Sequence, residues 1–328
     1  MSSHPMQTSP VSNTSAPQDT EHRLTFGSQS AIVSPFGASL RRYFVTSALD
    51  EWDVIWGYTG GAQKQGGQGD VLAPFPGRVK NGEFTFGGEV HSLAKNDKDG
   101  PNAIHGFLRA ELFQTIELTS TTAVFRYDLL ANDYAAKGFP FSLQIEVSYS
   151  VSRLGLTTSY RIKNTGAVTA PAGIGFHPYF QVDKGPISDW SVEIPAQNYL
   201  ELENLIPTGR VLPVDGTKLD FKQPRFIKNE RYNDCLAHLE RSADGSSQIR
   251  LGSKNSTNLI TLKLDKSFDY VVIYTGDQIA APNQRLGLAV EPMTCAPDAY
   301  NHADWGAVNL SPGSEMTGAY TIHAGVIS

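Results

Sequence analysis

Phe141-Ser-Leu143-Gln-Ile145-Glu-Val147-Ser-Tyr149-Ser-Val151 alternates apolar and polar residues over eleven positions. A period of two puts every apolar side chain on one face of a pleated strand and every polar one on the other. Ser152-Arg-Leu-Gly155 follows as a turn, Leu156 to Ile162 reads as the returning strand, and Asn164-Thr-Gly166 closes it. The same reading extends outward. Phe84-Thr-Phe86, Gly87-Gly88 and Glu89 to Leu93 form a second hairpin pattern, and Ile260-Thr-Leu262-Lys-Leu264 alternates again. Phe268 to Tyr274 is a more continuous apolar run, as expected of a strand buried on both faces. No long amphipathic helix pattern is visible. The 30 Gly and 19 Pro are spread along the chain and punctuate many short strands. The expected class is therefore all-β, a large antiparallel β-sandwich. No fixed repeat points to a propeller or solenoid.

Composition narrows the function classes. The chain has 328 residues, 40% hydrophobic and only 18% charged, enough apolar material for one large core. Lys plus Arg is 27 against 33 Asp plus Glu, a net charge of −6, which disfavours nucleic acid as a partner. No run approaches the roughly 18 apolar residues of a membrane span. Met1 to about Glu21 is rich in Ser, Thr, Pro and Gln and has no apolar segment of the signal-peptide kind. Residues 1–21 are expected to be a disordered leader, and 22–328 a single domain. The two cysteines, Cys235 and Cys295, fit no zinc spacing. They read as small buried packing residues in a reducing compartment, so a cytoplasmic location is expected.

Four stretches break the strand pattern and concentrate Gly, Pro, His or acids where loops would sit. In Pro74-Phe-Pro-Gly-Arg78-Val-Lys-Asn-Gly82, Arg78 is either a surface arginine in a turn or a donor fork for sugar hydroxyls. In Gly100-Pro-Asn102-Ala-Ile-His105-Gly106, His105 is either a capping histidine or an oriented site imidazole. In Gly173-Ile-Gly175-Phe176-His177-Pro178-Tyr179-Phe180, the proline keeps His177 out of the helical region and aromatics surround the imidazole. So many backbone constraints favour a functional histidine. In the fourth, the apolar strand Leu286–Val290 runs into Glu291, then Pro292 and Pro297-Asp298-Ala-Tyr-Asn301. A carboxylate at the end of a buried strand tends to be desolvated, which makes it a better base.

Taken in order, these stretches resemble the aldose 1-epimerase (galactose mutarotase) family. Gly77-Arg78-Val-Lys-Asn-Gly82-Glu-Phe84 is similar to its arginine segment, Asn102-Ala-Ile-His105-Gly106 to its Asn-x-x-His-Gly segment, and His177-Pro178-Tyr179-Phe180 to its His-x-Tyr-Phe segment. Glu291 and the following Pro-rich turn resemble its glutamate strand, and Asp234 in Tyr232-Asn-Asp234-Cys235 resembles its mid-chain aspartate. The similarity spans roughly residues 25 to 325. Three positions depart from the pattern: Phe107 stands where the family often has a second glycine, and Gly77 and Phe176 where it commonly has asparagines.

The resemblance implies a galactose mutarotase-like supersandwich, with the site on a concave sheet face. It also implies interconversion of α and β anomers of a hexose by ring opening. Glu291 would be the base and His177 the acid, with Arg78, His105, Asp234 and Asn102 binding substrate. No metal or organic cofactor is required, and no ligand cluster in the sequence demands one. Three other readings stay open at this point. An epimerase of an anionic hexose would draw on Arg109 and Lys80. A carbohydrate-binding sandwich without turnover would draw on the 16 Phe and 13 Tyr. A hydrolase would pair Glu291 with Asp234.

Overall fold

The computed structural model describes residues 19–48 and 50–326. The alternation that opens the sequence reading becomes the strand Leu143–Ser152, in which every second side chain is buried. It pairs antiparallel with Thr122–Leu129 on one side and Gly155–Asn164 on the other. Its polar face carries Ser148 against Ser159, and Glu146 accepts from Arg126 and Arg161, so the half-wet face is held by cross-strand polar pairs. The hairpin Glu83–Phe86 with Glu89–Ser92 also forms.

Among the described residues the strands assemble into a twelve-stranded and a nine-stranded sheet, with three small two-stranded additions. In the larger sheet Leu288–Met293 lies between Tyr270–Tyr274 and the short strands Gly175–Phe176 and Tyr179–Phe180. Next to Tyr270–Tyr274 lies Asn233–Leu239. The two sheets share one apolar core. Ile145, Val147 and Tyr149 of the smaller sheet belong to it, as do Val71, Leu236, Val271, Ile273, Leu288 and Val290 of the larger. The fold class is the all-β antiparallel sandwich that the sequence pattern implies.

Three local expectations are corrected. The run Phe268–Tyr274 is a strand only over Tyr270–Tyr274, and it is not buried on both faces. Val272 and Tyr274 are half-buried because their face lines a cleft instead of the core. Glu291 is not at a strand end: Leu288–Met293 runs through it and through Pro292. Pro292 does not stop the strand because it lies beside the break between Gly175–Phe176 and Tyr179–Phe180, where the ladder is already interrupted. The expected leader over 1–21 ends too late. Asp19 and Glu21 both pair with Arg41, so the ordered domain reaches back at least to residue 19. The remainder of that expectation, 1–18, lies outside the described residues.

A buried contact ties the smaller sheet to the turn between Gln29–Ser34 and Ser39–Thr46 of the larger. The Tyr149 hydroxyl donates to the Ala38 carbonyl at 2.6 Å, and both residues are buried. Tyr149→Phe leaves that carbonyl without its donor in a dry site. It is expected to lower unfolding free energy by about 1–2 kcal/mol, read by urea titration as a lower midpoint at unchanged slope.

Candidate active site

The register of the larger sheet brings the key side chains together. Gly175 pairs with Met293 and Tyr179 with Ala289, which sets His177 opposite Glu291 across the interrupted ladder. Glu291 in turn pairs with Val272, and Val272 with Cys235. His177, Glu291, Val272 and Cys235 thus form one row across the sheet. All four line a cleft of about 550 Å³. The alternate residues Val271, Ile273 and Val290 point into the core. Period two therefore does two jobs in these strands: one face seals the sandwich and the other builds the site.

His177 Nε2 lies 3.2 Å from Glu291 Oε1, with both side chains almost fully buried. Burial pushes the Glu291 carboxyl up to about 8, against the pull of Arg78. Burial pushes the His177 imidazole down to about 3, helped by the positive charge of Arg109. Both groups are thus driven toward their neutral forms, so the contact is a carboxylic acid beside a neutral imidazole and not a fixed ion pair. Tyr179 stacks on the His177 ring at 4.9 Å between centroids, which fixes the plane of the imidazole. His177 Nδ1 has no hydrogen-bond partner among the described residues, so no neighbour on that side fixes the tautomer of the ring.

His105 stands edge-on to His177 with 5.8 Å between ring centroids. It adopts a left-handed backbone conformation, φ 61°, just after the short strand Ala103–Ile104. The Gly77 N–H donates to His105 Nδ1 at 3.1 Å, and the His105 N–H donates to the Gly77 carbonyl at 2.9 Å. An accepting Nδ1 places the ring proton on Nε2. Burial holds the imidazole well below its ordinary value, with the charges of His177, Arg109 and Arg78 acting the same way. His105 is therefore a neutral donor of fixed tautomer in the cleft wall.

Arg78 lines the cleft and is gripped from behind. Its Nε donates to Asp97 at 2.8 Å, and its Nη2 lies 3.3 Å from Asp99. Asp234 lines the cleft at the start of Asn233–Leu239. Burial raises its carboxyl above the ordinary range, while Lys218 at 3.9 Å opposes this. Five of the six residues singled out in the sequence, Glu291, His177, Arg78, His105 and Asp234, thus share one cavity.

Asn102 is the exception. Its side chain is buried away from the cleft, accepting from the Asn81 N–H and donating to Asp97 at 2.9 Å. It holds the acid that holds Arg78. Of the two extra cations considered, Arg109 lines the cleft and Lys80 does not.

Sequence reasoning missed the loop that covers His177. Gln65, Gly66 and Gly67 line the cleft, and a Cβ on Gly67 would stand 2.5 Å from His177 Cδ2. The signal was present as the polar, glycine-rich run Gly60–Asp70 just before Val71-Leu72. Asp97 and Asp99 were also missed, although two acids flanking Lys98 shortly before His105 are an available partner for Arg78. Both cysteines are buried and free; Cys235 is on the cleft floor, and Cys295 packs with Met293 and Tyr270.

Comparison with known proteins shows the family. The family described as aldose 1-epimerase matches residues 21–323. The chain belongs to the aldose 1-epimerase family. Its relatives include the galactose mutarotase of Homo sapiens, 33% identical over 284 residues, which cover 80% of this chain and 81% of that one. YihR of Escherichia coli strain K12, an uncharacterized protein, is 32% identical over 235 residues, 71% of each chain. The crystal structure of a GalM/aldose epimerase homologue from C. elegans superposes with a TM-score of 0.85 at 18% identity, covering 94% of this chain and all of that one. That likeness confirms the fold. As a member of the aldose 1-epimerase family, this chain is an isomerase.

The Gly67 contact gives a clean test of the pair's geometry. Gly67→Ala adds one methyl group, and that group must push the His177 ring away from Glu291. Turnover is expected to fall on the order of 10²-fold, with the circular dichroism spectrum unchanged.

Proposed function

We propose that this enzyme interconverts the α and β anomers of a free, uncharged hexose by ring opening, with Glu291 and His177 as the proton-transfer pair. The observation that carries this reading is the 3.2 Å separation of a carboxyl oxygen and an imidazole nitrogen, both on nearly buried side chains that line the cleft. The two oxygens that exchange protons in ring opening, the C1 hydroxyl and the ring oxygen, are bonded to the same carbon. A base and an acid serving them must therefore be near neighbours.

The protons balance without any other donor. The resting pair holds one exchangeable proton. That proton rests on Glu291; once it has passed to Nε2 of a His177 ring that keeps its own proton on Nδ1, the Glu291 carboxylate takes the proton of the C1 hydroxyl. The C1–O5 bond breaks, C1–O1 becomes a carbonyl, and His177 Nε2–H delivers its proton to the ring oxygen. Rotation about C1–C2 presents the other face of the aldehyde. Reclosure reverses each transfer and returns the pair to its starting proton count. The His105 Nε2–H and the Arg78 guanidinium donate to sugar oxygens, and Asp234 accepts from hydroxyls.

Charge pairing in the cleft supports an uncharged substrate. Arg78 is answered by Asp97 and Asp99, and Arg109 faces the buried Asp70 at 3.6 Å. An anionic hexose would have to draw Arg78 or Arg109 from its acid or turn to Lys98, the remaining cation of the cleft lining.

Anomer exchange followed by NMR tests the reading on glucose, galactose and a hexose 6-phosphate. Acceleration is expected on a neutral hexose, with no advantage for the phosphate. Glu291→Gln is expected to lower kcat roughly 10²–10⁴-fold while binding survives. Near wild-type turnover in that variant would remove Glu291 from its role. The pH profile follows from the proton on Glu291. Below about 8 the pair keeps its proton; above it the carboxylate faces a neutral imidazole and no acid remains. The rate is expected to fall about tenfold per pH unit on the alkaline side of the upper titration.

A further inference from the structure

Arg41, in the strand Ser39–Thr46, is a fully buried cation far from the cleft's own donors. Its side chain is 1% exposed, and its charge is met by Asp19 and by Glu21, the latter at 2.8 Å. A buried guanidinium without such partners is strongly unfavourable. The same two carboxylates do a second thing. Glu21 Oε1 accepts the Gly60 N–H and Asp19 Oδ2 accepts the Gly61 N–H, both at 2.8 Å. Asp19 Oδ1 also accepts the Ser34 hydroxyl at 3.1 Å.

Those amides open the loop that packs on the catalytic imidazole. Its near end is fixed to Arg41: the Tyr58 N–H donates to the Arg41 carbonyl at 3.2 Å, and the guanidinium sits 5.3 Å from the Tyr58 ring. Its far end is fixed to His177: the Gly69 N–H donates to the His177 carbonyl, and the His177 N–H to the Asp70 carbonyl, each at 3.0 Å. Gly69 has φ +68°, and a Cβ there would lie 1.9 Å from the Leu40 carbonyl. Between these ends Gly66 approaches the Tyr179 hydroxyl and Gly67 the His177 ring. Asp70, at the loop's close, is buried with Lys64 and Arg109 on its carboxylate.

We propose that Asp19 and Glu21 are positioning residues for the reaction: by bridging buried Arg41 to the amides of Gly60 and Gly61, they hold the 57–70 loop down on His177. The N-terminal segment is thereby part of the catalytic architecture, although it touches no substrate. This rests on the anomerase reading for its kinetic consequence, but not for its structural one.

Loosening the strap lets water reach the pair. The charged and titratable groups facing His177 are Glu291, His105, Tyr179, Arg109, Lys64 and Asp70, and all but Glu291, His105 and Tyr179 are carried or anchored by the loop. Hydration weakens the burial that raises Glu291, so the alkaline limb of the rate profile moves to lower pH.

The test uses the full chain with Asp19→Asn and Glu21→Gln combined, and Glu21→Gln alone in case the double variant does not fold. Two readouts are taken well below the melting temperature. Hydrogen exchange at the amides of residues 60–69 is expected to quicken at least tenfold, while the strand Leu143–Ser152 keeps its protection. The kcat/KM for anomer exchange is expected to fall about tenfold, with the alkaline limb shifted down by about one unit. A lower melting temperature with loop exchange and the alkaline limb both unchanged would make the acids merely structural and overturn the proposal. If the wild-type enzyme exchanges no anomers, the functional reading fails. Loop exchange then decides the strap by itself: quickened exchange upholds it, and unchanged exchange rejects it.

Discussion

The site depends on the desolvation of two ionisable groups placed side by side. Glu291 and His177 oppose each other on the cleft face of the sheet, with both side chains nearly buried. In water a carboxyl and an imidazole differ enough in proton affinity that one gives up its proton to solvent while the other is half protonated. In this cleft burial acts on both in opposite directions, raising the acid to about 8 and lowering the base to about 3. The order of proton affinities is thereby reversed from that in water: the proton rests on Glu291 beside a neutral imidazole.

Much of the surrounding structure serves that one condition. The ladder is broken at His177–Pro178, so the imidazole enters the cleft where a continuous strand would have kept regular pairing. Tyr179 stacks on the ring from one side and Gly67 presses on it from another. Cations that would upset the balance are neutralised by their own acids: Arg78 by Asp97 and Asp99, Arg109 by Asp70. His105 is kept neutral by burial and locked to one tautomer by the Gly77 N–H. A charged His105 would have repelled the protonated form of its neighbour.

The sequence made some of this legible and left some of it out of reach, for physical reasons. Alternation over Phe141–Val151 identified the sandwich because the period of a half-buried strand is written directly in its residues. His177 was recognisable from its proline and aromatics, and the ordered set of four stretches pointed to the family. The same local reading erred where tertiary context decides. It placed Glu291 at a strand end because Pro292 normally stops a ladder, and nothing local shows that the neighbouring strand is already broken there. It put Val272 and Tyr274 in the core because an apolar run does not say which face meets a cleft. It gave Asn102 to the substrate, although the residue supports Asp97, because an amide beside a site histidine suits both uses. It stopped the ordered chain after Glu21, since pairing of Asp19 and Glu21 with Arg41 spans about twenty residues and leaves no local pattern.

The most direct measurement is nitrogen NMR of the imidazoles in the substrate-free enzyme at neutral pH, with His177 assigned through His177→Asn. A neutral His177 ring is expected, with one protonated nitrogen, and the Glu291 carboxyl carbon still titrating near pH 8. An imidazolium at His177 beside a fully ionised Glu291 would contradict the neutral pair, and with it the proposed route by which this cleft moves protons.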